Sequence, residues 1–522
     1  MSPHFLLATA LATALSGGLL LALPGHAAAP ASPPSQALES KGWYVATLRP
    51  VREGGAHVSA IDVTLEISAP ASQRGEPLRL VAPIVYPGVP GAAERMIDLV
   101  IEDQSGPLPM SVKDDPAVPG GFPYFRHWTA ERTAHYPVTV RYRAQVLPDG
   151  APNGPPFAMR PVGGGVSGAG VSILIQPADQ TDMPATLHWD LGDLPAGSIA
   201  VTSHGEGTAT AASPSDLAQG WYLAGPAGRH PRENGSHGFS AAWLGTPTFD
   251  APMEMAWAAE VYRWLAGYFP HLKPMPDYRV FMRFHEQPPY GGATALPKSF
   301  MLSRGPLEPG EAAVAPRTTL IHEMLHQWTG GIDAPHGISS WFSEGLTTYY
   351  QTILPARGNF ETLDEYEAAI NDLASDYYSN PALRMSAAEI TKVGFSDAVI
   401  RHMPYQRGAL YFADLDARIR AKSGGARTLE TLLFQIFRER ESGHRFDHAR
   451  WLELITQELD EGERERFERV ILEGAEVLQP ASNAFGPCFA RLAARYSVAG
   501  ETREGFRWVR VPTVPEDQCR VW

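Results

Sequence analysis

Cysteine is nearly absent from this chain of 522 residues, which has only Cys488 and Cys519. Both lie close to the end of the chain, far from the histidine motif at residues 322–326, so neither is expected to act as a nucleophile. In an exported protein a lone close pair of cysteines is expected to form a disulfide. The sequence therefore predicts one disulfide and no cysteine-based catalysis.

Long runs of like charge are also missing. The formal net charge is -14, and the acidic residues are spread along the chain. A negative chain without basic clusters argues against nucleic acid and against anionic membrane surfaces as partners. The charge is that of an ordinary soluble protein, and nothing in it indicates an oligomeric state.

A long apolar stretch occurs only at the beginning of the chain. The first 29 residues contain no Lys, Arg, Asp or Glu, and the Leu- and Ala-rich run from Phe5 to Leu23 is followed by small residues. This arrangement predicts a secretory signal peptide at residues 1–28, with a retained membrane anchor as the alternative. No later segment has eighteen uninterrupted apolar residues, so we expect a periplasmic or secreted protein without stable membrane insertion after signal cleavage.

The remaining residues are too many for one hydrophobic core. Apolar and polar residues alternate in segments such as Ala60–Ile67 and Val138–Val146, which predicts strands, and Gly and Pro clusters separate them. Helical periodicity prevails after Pro247. The predicted fold class is α+β and multidomain, with an antiparallel β domain before a mostly helical one. The predicted divisions are a signal peptide at 1–28, a disordered leader at 29–40, a β-sandwich-like domain at 41–247, a second domain at 248–480 and a small disulfide-containing appendage at 481–522.

Within the appendage, the residues between the two cysteines suggest two different elements. Phe489 to Tyr496 is similar to a helix, and Phe506 to Val511 is similar to a strand. A disulfide around them would tie down the end of the chain.

The most informative motif is His322-Glu323-Met324-Leu325-His326. Residues four apart lie on one face of a helix, so both imidazoles can reach one metal ion while Glu323 faces a water bound to it. Most other residues of this segment are apolar, and polar side chains buried in such a helix need partners. A metal ion supplies them, and the pattern predicts a metal site.

A third ligand must come from elsewhere, since Ile332 stands where a third histidine six residues after His326 would be needed. The segment Ser339 to Leu354 is predicted as a second buried helix, and Glu344 is its only acid. Asp333 and His336 in the connection between the helices are weaker candidates. Three ligands and an open position are typical of catalytic zinc. The sequence therefore predicts one zinc ion per chain, held by His322, His326 and Glu344, with Glu323 as general base and acid.

These motifs resemble a known family. His-Glu-x-x-His followed by Trp341-Phe342-Ser343-Glu344-Gly345 is similar to the gluzincin zinc peptidases, and within them to the glycyl aminopeptidases, the M-sixty-one family. The segments Pro404–Leu410, Tyr290–Gly292, Thr428–Leu433 and Arg466–Gly474 extend the resemblance over roughly residues 250 to 480. It implies a thermolysin-like catalytic domain with a peptide or protein as substrate.

The resemblance also implies two further features. Tyr405, in the segment that resembles the family's tyrosine-bearing helix start, would hydrogen-bond the oxyanion, and Gly291-Gly292 would belong to a substrate-binding edge strand. Family members usually carry Leu-Glu-His after the Gly-Gly, and that glutamate can hold the substrate's amino group. Here the residues are Ala293-Thr294-Ala295, which puts aminopeptidase specificity in doubt; Glu286 is the first substitute to consider.

The predicted function is that of an exported zinc metallopeptidase. The alternatives are a catalytically degenerate, zinc-containing peptide-binding protein and a scaffold that the metal merely stabilises. Retention of Glu323 argues against the degenerate protein, because a site without turnover needs no base.

Overall fold

The computed structural model describes residues 41–52, 54–55, 57–150, 154–178, 183–232, 238–271, 273–275, 277–288, 291–498 and 500–520. The predicted signal peptide at 1–28 and leader at 29–40 lie outside these residues, as does Tyr290. Among the described residues, no helix is both long and apolar enough to cross a membrane.

The first part of the chain is built almost entirely of strands. They are β1 Trp43–Val51, β2 Ala60–Ser68, β3 Arg79–Tyr86, β4 Val89–Pro90, β5 Met96–Asp103, β6 Gly106–Pro107, β7 Met110–Asp114, β8 Tyr124–Ala130, β9 Val138–Gln145, β10 Arg160–Val162, β11 Gly165–Ala169, β12 Gln176–Pro177, β13 Ala185–Trp189, β14 Ile199–Thr202, β15 Gly205–Glu206, β16 Ala209–Ala211, β17 Trp221–Gly225, β18 Gly228–His230 and β19 Phe239–Leu244, with the short helix α1 Pro214–Ala218 before β17.

Most of these strands form three sheets around one apolar core. The strand orders are β16-β13-β1-β2-β9-β5-β6, β10-β11-β17-β14-β15 and β12-β3-β8-β7, with β4 paired to β3. Pairing is antiparallel except between β1 and β13. The alternation seen in the sequence explains the core, because β2 directs Ile61, Val63, Leu65 and Ile67 inward, all at most 1% exposed. The β-rich first part of the predicted fold class is confirmed.

The second part of the chain is mainly helical. Its elements are α2 Ala251–Tyr268, β20 Tyr278–Phe284, β21 Gly291–Leu296, β22 Ser299–Arg304, α3 Arg317–Thr329, α4 His336–Arg357, α5 Leu363–Ser379, α6 Ala387–Val393, α7 Ala398–Arg401, α8 Met403–Ser423, α9 Leu429–Glu441, α10 His448–Glu458 and α11 Glu461–Phe467, the last continued by a π-helical turn at Glu468–Leu472, and then β23 Phe489–Val498 and β24 Glu501–Arg510.

One sheet joins the two parts, in the order β18-β19-β20-β22-β21. Its faces are apolar on both sides: Phe281 packs into the core of the β-rich part, while its neighbours Val280 and Met282 pack against the helices. Strands β18 and β19 precede residue 247, so this sheet continues across the predicted division at 247/248. The divisions themselves remain predictions.

The end of the chain packs onto the helical part. β23 pairs with β24 along their full length, and Phe489 and Trp508 enter the same core as the helices. Cys488 and Cys519 form the predicted disulfide. The helix expected at Phe489 to Tyr496 is wrong: its Ala, Leu and Arg favour a helix locally, but pairing with β24 and packing on α5 prevail.

Candidate active site

The predicted metal ligands come together between α3 and α4. Helix α3 carries His322 and His326, and α4 carries Glu344. Their nearest nitrogen and oxygen atoms lie within 4.8 Å of one another. Oε2 of Glu344 is 3.3 Å from Nε2 of His322 and 3.4 Å from Nε2 of His326. The three side chains thus converge on one point, at a spacing that suits a bound cation.

Glycine lets two helices cross beside this point. A Cβ on Gly345 of α4 would lie 2.6 Å from the Cα of Gly408 in α8. No larger residue permits this approach, because its side chain would collide with the other backbone. The crossing holds Glu344, the residue before Gly345, next to the first turns of α8, where Tyr405 is found.

Hydrogen bonds fix the orientation of both imidazoles. Nδ1 of His322 lies 2.7 Å from Oε1 of Gln351, and Nδ1 of His326 lies 3.3 Å from the hydroxyl of Thr347. Because that hydroxyl donates to the carbonyl of Ser343, its oxygen accepts from the imidazole. Each imidazole therefore has its Nδ1 hydrogen-bonded to an oxygen acceptor and its Nε2 directed at Glu344.

Glu323 lies beside the ligands and is buried. Its Oε2 has no hydrogen-bond partner among the described residues. Burial raises the pKa of Glu323 to about 7, and the nearby Glu344 carboxylate adds to the rise against the opposing effect of His322 and the N–H of Ala295. An unpartnered carboxyl oxygen at the edge of a cleft is suited to exchanging a proton with something that enters it.

The pKa of Glu344 is lowered, whereas that of Glu323 is raised. Burial alone would raise the pKa of Glu344, but attraction to His326 and hydrogen bonds from His322 and His326 hold it well below its usual range. The carboxylate is therefore charged, as a metal ligand must be.

Tyr405 stands at the start of α8 against the same group. Its ring stacks on that of His322 with centroids 5.9 Å apart. Burial, followed by the charge of Glu344, raises the pKa of Tyr405 well above its usual range. The phenol remains protonated at neutral pH and can donate a hydrogen bond.

These residues line a cleft of about 1850 Å³ between the β-rich and helical parts. Tyr86, Phe122 and Phe157 contribute to it from the β-rich part, and edge strand β21 forms part of it beside α3. The cleft is large enough for several residues of a peptide.

The Gly-Gly pair of β21 is also required by packing. A Cβ on Gly291 would lie 1.9 Å from the carbonyl oxygen of Ser303, and one on Gly292 would lie 2.6 Å from that of Gly154. The hydroxyl of Thr294 donates to the carbonyl of Ala293. Strand β21 thus presents no carboxylate to the cleft.

The alternative residues considered from the sequence lie elsewhere. Asp333 is exposed and pairs with Arg445 at 3.0 Å. His336 is the first residue of α4, two turns before Glu344. Glu286 is exposed and outside the wall of the cleft.

Sequence reasoning missed three residues of the cleft. Gln351 is seven residues after Glu344, so helical periodicity places it on the same face and would have found it. Glu361 lines the cleft, and none of the described residues hydrogen-bonds its Oε1. Burial, with help from Glu365, raises the pKa of Glu361 to about 8. Arg401 also lines the cleft, and no sequence motif marks either of these last two.

The charge of the ligand group is unbalanced. Glu323 and Glu344 are its two carboxyl groups, and no Lys or Arg of the described residues pairs with either. A buried charge without a counter-charge is costly. The arrangement thus fits a bound divalent metal.

Known proteins agree with this arrangement. The sequence profile described as M61 glycyl aminopeptidase matches residues 316–408, which include His322, His326, Glu344 and Tyr405. No curated protein matches the chain in sequence.

Several solved structures share the fold. An aminopeptidase N family protein from Idiomarina loihiensis superposes with a TM-score of 0.64 at 17% identity, covering 86% of this chain and 79% of that one. An M1 zinc metallopeptidase from Deinococcus radiodurans, solved with a Tyr-Ser-Ala substrate, gives 0.51 at 19%, covering 84% and 94%. Native leukotriene A4 hydrolase from Saccharomyces cerevisiae gives 0.50 at 12%, covering 84% and 68%.

At these identities the superpositions show the fold, a β-rich part followed by a helical part, and the profile match adds a family resemblance over residues 316–408. The family resemblance predicted from the sequence is confirmed: residues 316–408 match the profile of the M61 glycyl aminopeptidases, and the chain shares its fold with the M1 zinc metallopeptidase.

Proposed function

We propose that the chain is an exported zinc-dependent peptidase, with one zinc ion per chain held by His322, His326 and Glu344. The observation that carries this proposal is the charge-unbalanced group at the cleft, in which both Nε2 atoms face one carboxylate. Two imidazoles and a carboxylate are the donors that zinc prefers, and three of them leave a position open for catalysis.

When bound, zinc supplies a Lewis acid for the peptide carbonyl and makes a coordinated water more acidic. Glu323 then does the proton chemistry: its unpartnered Oε2 accepts a proton from the attacking water and returns it to the leaving nitrogen. A carboxyl group whose pKa is near neutrality is suited to both directions of transfer.

Tyr405 and strand β21 orient and stabilise the substrate. The phenol of Tyr405 donates a hydrogen bond to the carbonyl oxygen as negative charge develops on it. The free edge of β21 offers backbone groups to an extended peptide, which would add to the sheet as a further strand.

Export to the periplasm or the exterior is part of the proposal. The disulfide between Cys488 and Cys519 is compatible with an oxidising compartment, and the apolar first residues are typical of a signal peptide.

The experiment that tests catalysis compares the protein with its Glu323→Gln variant on a peptide library, with and without chelator. Glutamine keeps the shape and loses the proton acceptor, so hydrolysis should fall by about two orders of magnitude or more while zinc remains bound. Turnover unchanged in the variant would give Glu323 a structural role. Peptide binding without turnover in the unmodified protein would favour the degenerate peptide-binding alternative.

A further inference from the structure

Five basic residues line the cleft: Lys298, Arg304, Arg317, Arg401 and Arg440. Arg317 binds Glu254 through two hydrogen bonds of 2.8 and 3.1 Å. Arg440 donates to the carbonyl of Thr329 at 2.8 Å. Arg401 differs from both, because its guanidinium forms no hydrogen bond or ion pair with the described residues and has a contact with the Phe395 ring instead.

The nearest candidate partner of Arg401 on its own helix is engaged elsewhere. Asp397 is four residues earlier, the spacing at which acidic and basic side chains usually meet on a helix. Its Oδ1 instead accepts the N–H groups of Val399 and Ile400, at 2.9 and 3.1 Å, and caps α7. The sequence thus supplies an acid at the right spacing, and the structure uses it for the cap.

An aromatic contact holds Arg401 at the wall of the cleft. Its guanidinium carbon lies 5.3 Å from the centre of the Phe395 ring, and Phe395 meets Phe122 of the β-rich part with centroids 5.7 Å apart. A Cβ on Gly394 would lie 2.2 Å from the carbonyl of Gly120, so the backbones touch here too. Arg401 therefore rests on a fixed bridge between the two parts of the molecule, which limits the conformational entropy lost on binding.

Arg401 and its neighbour His402 also lie close to Tyr405 of the candidate active site. Tyr405 lies in the first turn of α8, four residues after Arg401, and the centre of its ring lies 5.0 Å from that of His402. Burial, then the charge of Arg401, lowers the pKa of His402 to about 4, so His402 is neutral at pH 7. Of these two neighbouring residues, Arg401 is therefore the one that brings a positive charge to the wall of the cleft.

We propose that Arg401 is a specificity-determining residue that binds a carboxylate of the peptide substrate. This rests on the proposed peptidase function and goes beyond it by naming a substrate class. A guanidinium presents several N–H donors in a plane that matches a carboxylate, and its open position in the cleft leaves them available. The carboxylate comes either from an acidic side chain or from a free carboxyl end of the peptide.

The test uses matched peptides built on a neutral scaffold that the protein cleaves. One pair has a free carboxylate or an amide at the carboxyl end. The other pairs exchange Gln for Glu at single positions on either side of the cleaved bond, with amidated ends. kcat and KM are measured for the unmodified protein and for Arg401→Gln, Arg401→Lys and Lys392→Gln. Lys392 is exposed on α6 and outside the cleft wall, so its variant controls for loss of one positive charge.

For the unmodified protein and the Lys392→Gln control, we expect at least one carboxylate peptide to exceed its neutral partner about tenfold in kcat/KM, mainly through KM. The ratio should fall below about twofold in Arg401→Gln and be intermediate in Arg401→Lys, which keeps the charge without the planar donors. The pair that shows the ratio identifies the source of the carboxylate.

Ratios near one in the unmodified protein, or a ratio that survives in Arg401→Gln, would overturn the proposal. So would an equal loss on every peptide in Arg401→Gln, because that would mean an action on Tyr405 rather than on the substrate. The same peptides are also titrated calorimetrically into Glu323→Gln protein with and without Arg401→Gln. If no peptide is hydrolysed, the proposed function fails, while the binding ratios still decide the role of Arg401.

Discussion

Two of the buried polar groups in the helical part of the molecule differ in one respect. In the first, Asp414, Glu463 and Arg466 are at most 7% exposed. Arg466 pairs with both acids, and Arg418 also binds Asp414 at 2.7 Å. Two acids face two arginines, so the charges balance without help from outside the chain.

The second group is the candidate metal site, where two carboxyl groups meet two imidazoles and no arginine. None of the Lys or Arg residues that the structure describes pairs with Glu323 or Glu344, and Nε2 of His322 and of His326 lies 3.3 and 3.4 Å from one oxygen of Glu344. In the first group each carboxylate has an arginine as its counter-charge, although Oε2 of Glu463 accepts no hydrogen bond from the described residues. In the second group, under the proposed function, a bound cation supplies the counter-charge. The comparison teaches that buried carboxyl groups without a basic counter-charge mark a candidate functional site, whereas burial of polar residues alone does not.

The largest expected effect is a loss of stability when Arg466 is removed from its group with Asp414 and Glu463. Arg466→Met leaves two buried acids with only the half-exposed Arg418, and the free energy of unfolding should fall by about 3–5 kcal/mol. Arg418→Met, which removes a partly exposed partner, should cost about 1 kcal/mol or less. Denaturant unfolding measures both. Equal losses of unfolding free energy in the two variants would contradict the distinction between the two groups. So would a loss of zinc from Arg466→Met protein that is still fully folded.

The disulfide, like the group of Asp414, Glu463 and Arg466, should contribute to stability rather than to catalysis. It closes a loop with a sequence separation of 31, and this should stabilise the fold by roughly 3–4 kcal/mol in the chain-entropy model. A Cys488→Ser, Cys519→Ser protein should therefore unfold at lower temperature and keep most of its peptidase activity. Two free thiols in the unreduced exported protein, detected by mass spectrometry, would contradict the pairing.

Within the site, Tyr405→Phe should have a smaller effect than Glu323→Gln. It removes one hydrogen-bond donor, so kcat should fall by about 10- to 100-fold with little change in KM. Thermal unfolding is expected to stay unchanged, because the ring still stacks on His322. A change in KM alone would show that Tyr405 binds substrate rather than stabilising charge.

The smallest effect concerns the amino end of the substrate. Because Thr294 offers no carboxylate, matched free and N-acetylated peptides should differ by less than about threefold in kcat/KM, within the range of a weak ion pair. A strict requirement for a free amino end would show that another acid binds it. Glu361 would then be tested first, since it lines the cleft with a buried oxygen and Glu286 does not.

The site was largely predictable because its geometry is local. The spacing of His322 and His326 fixes their common face, and the single acid of the next helix supplies the third member. The partners of the balanced group were not predictable in this way, since Asp414 and Arg466 are 52 residues apart. Charge pairs between distant helices depend on packing that no local pattern contains.

The same limit explains what went wrong at the end of the chain. Residues 489–496 have helix-forming composition, but eight consecutive pairings with β24 make them a strand. Arg401 likewise acquires its importance from the contact between Phe395 and Phe122, which are 273 residues apart in sequence. Neither segment indicates in its own sequence that Phe395 and Phe122 are in contact.

The most direct measurement is the metal content of the purified protein. The account predicts about one zinc per chain in the unmodified protein and in Glu323→Gln, and almost none in the His322→Ala, His326→Ala double variant. The Arg418→Met protein serves as a folded control that should retain zinc. Full zinc occupancy in the double variant, or zinc absent from unmodified protein that hydrolyses peptides, would contradict the central claim that a metal ion completes this group.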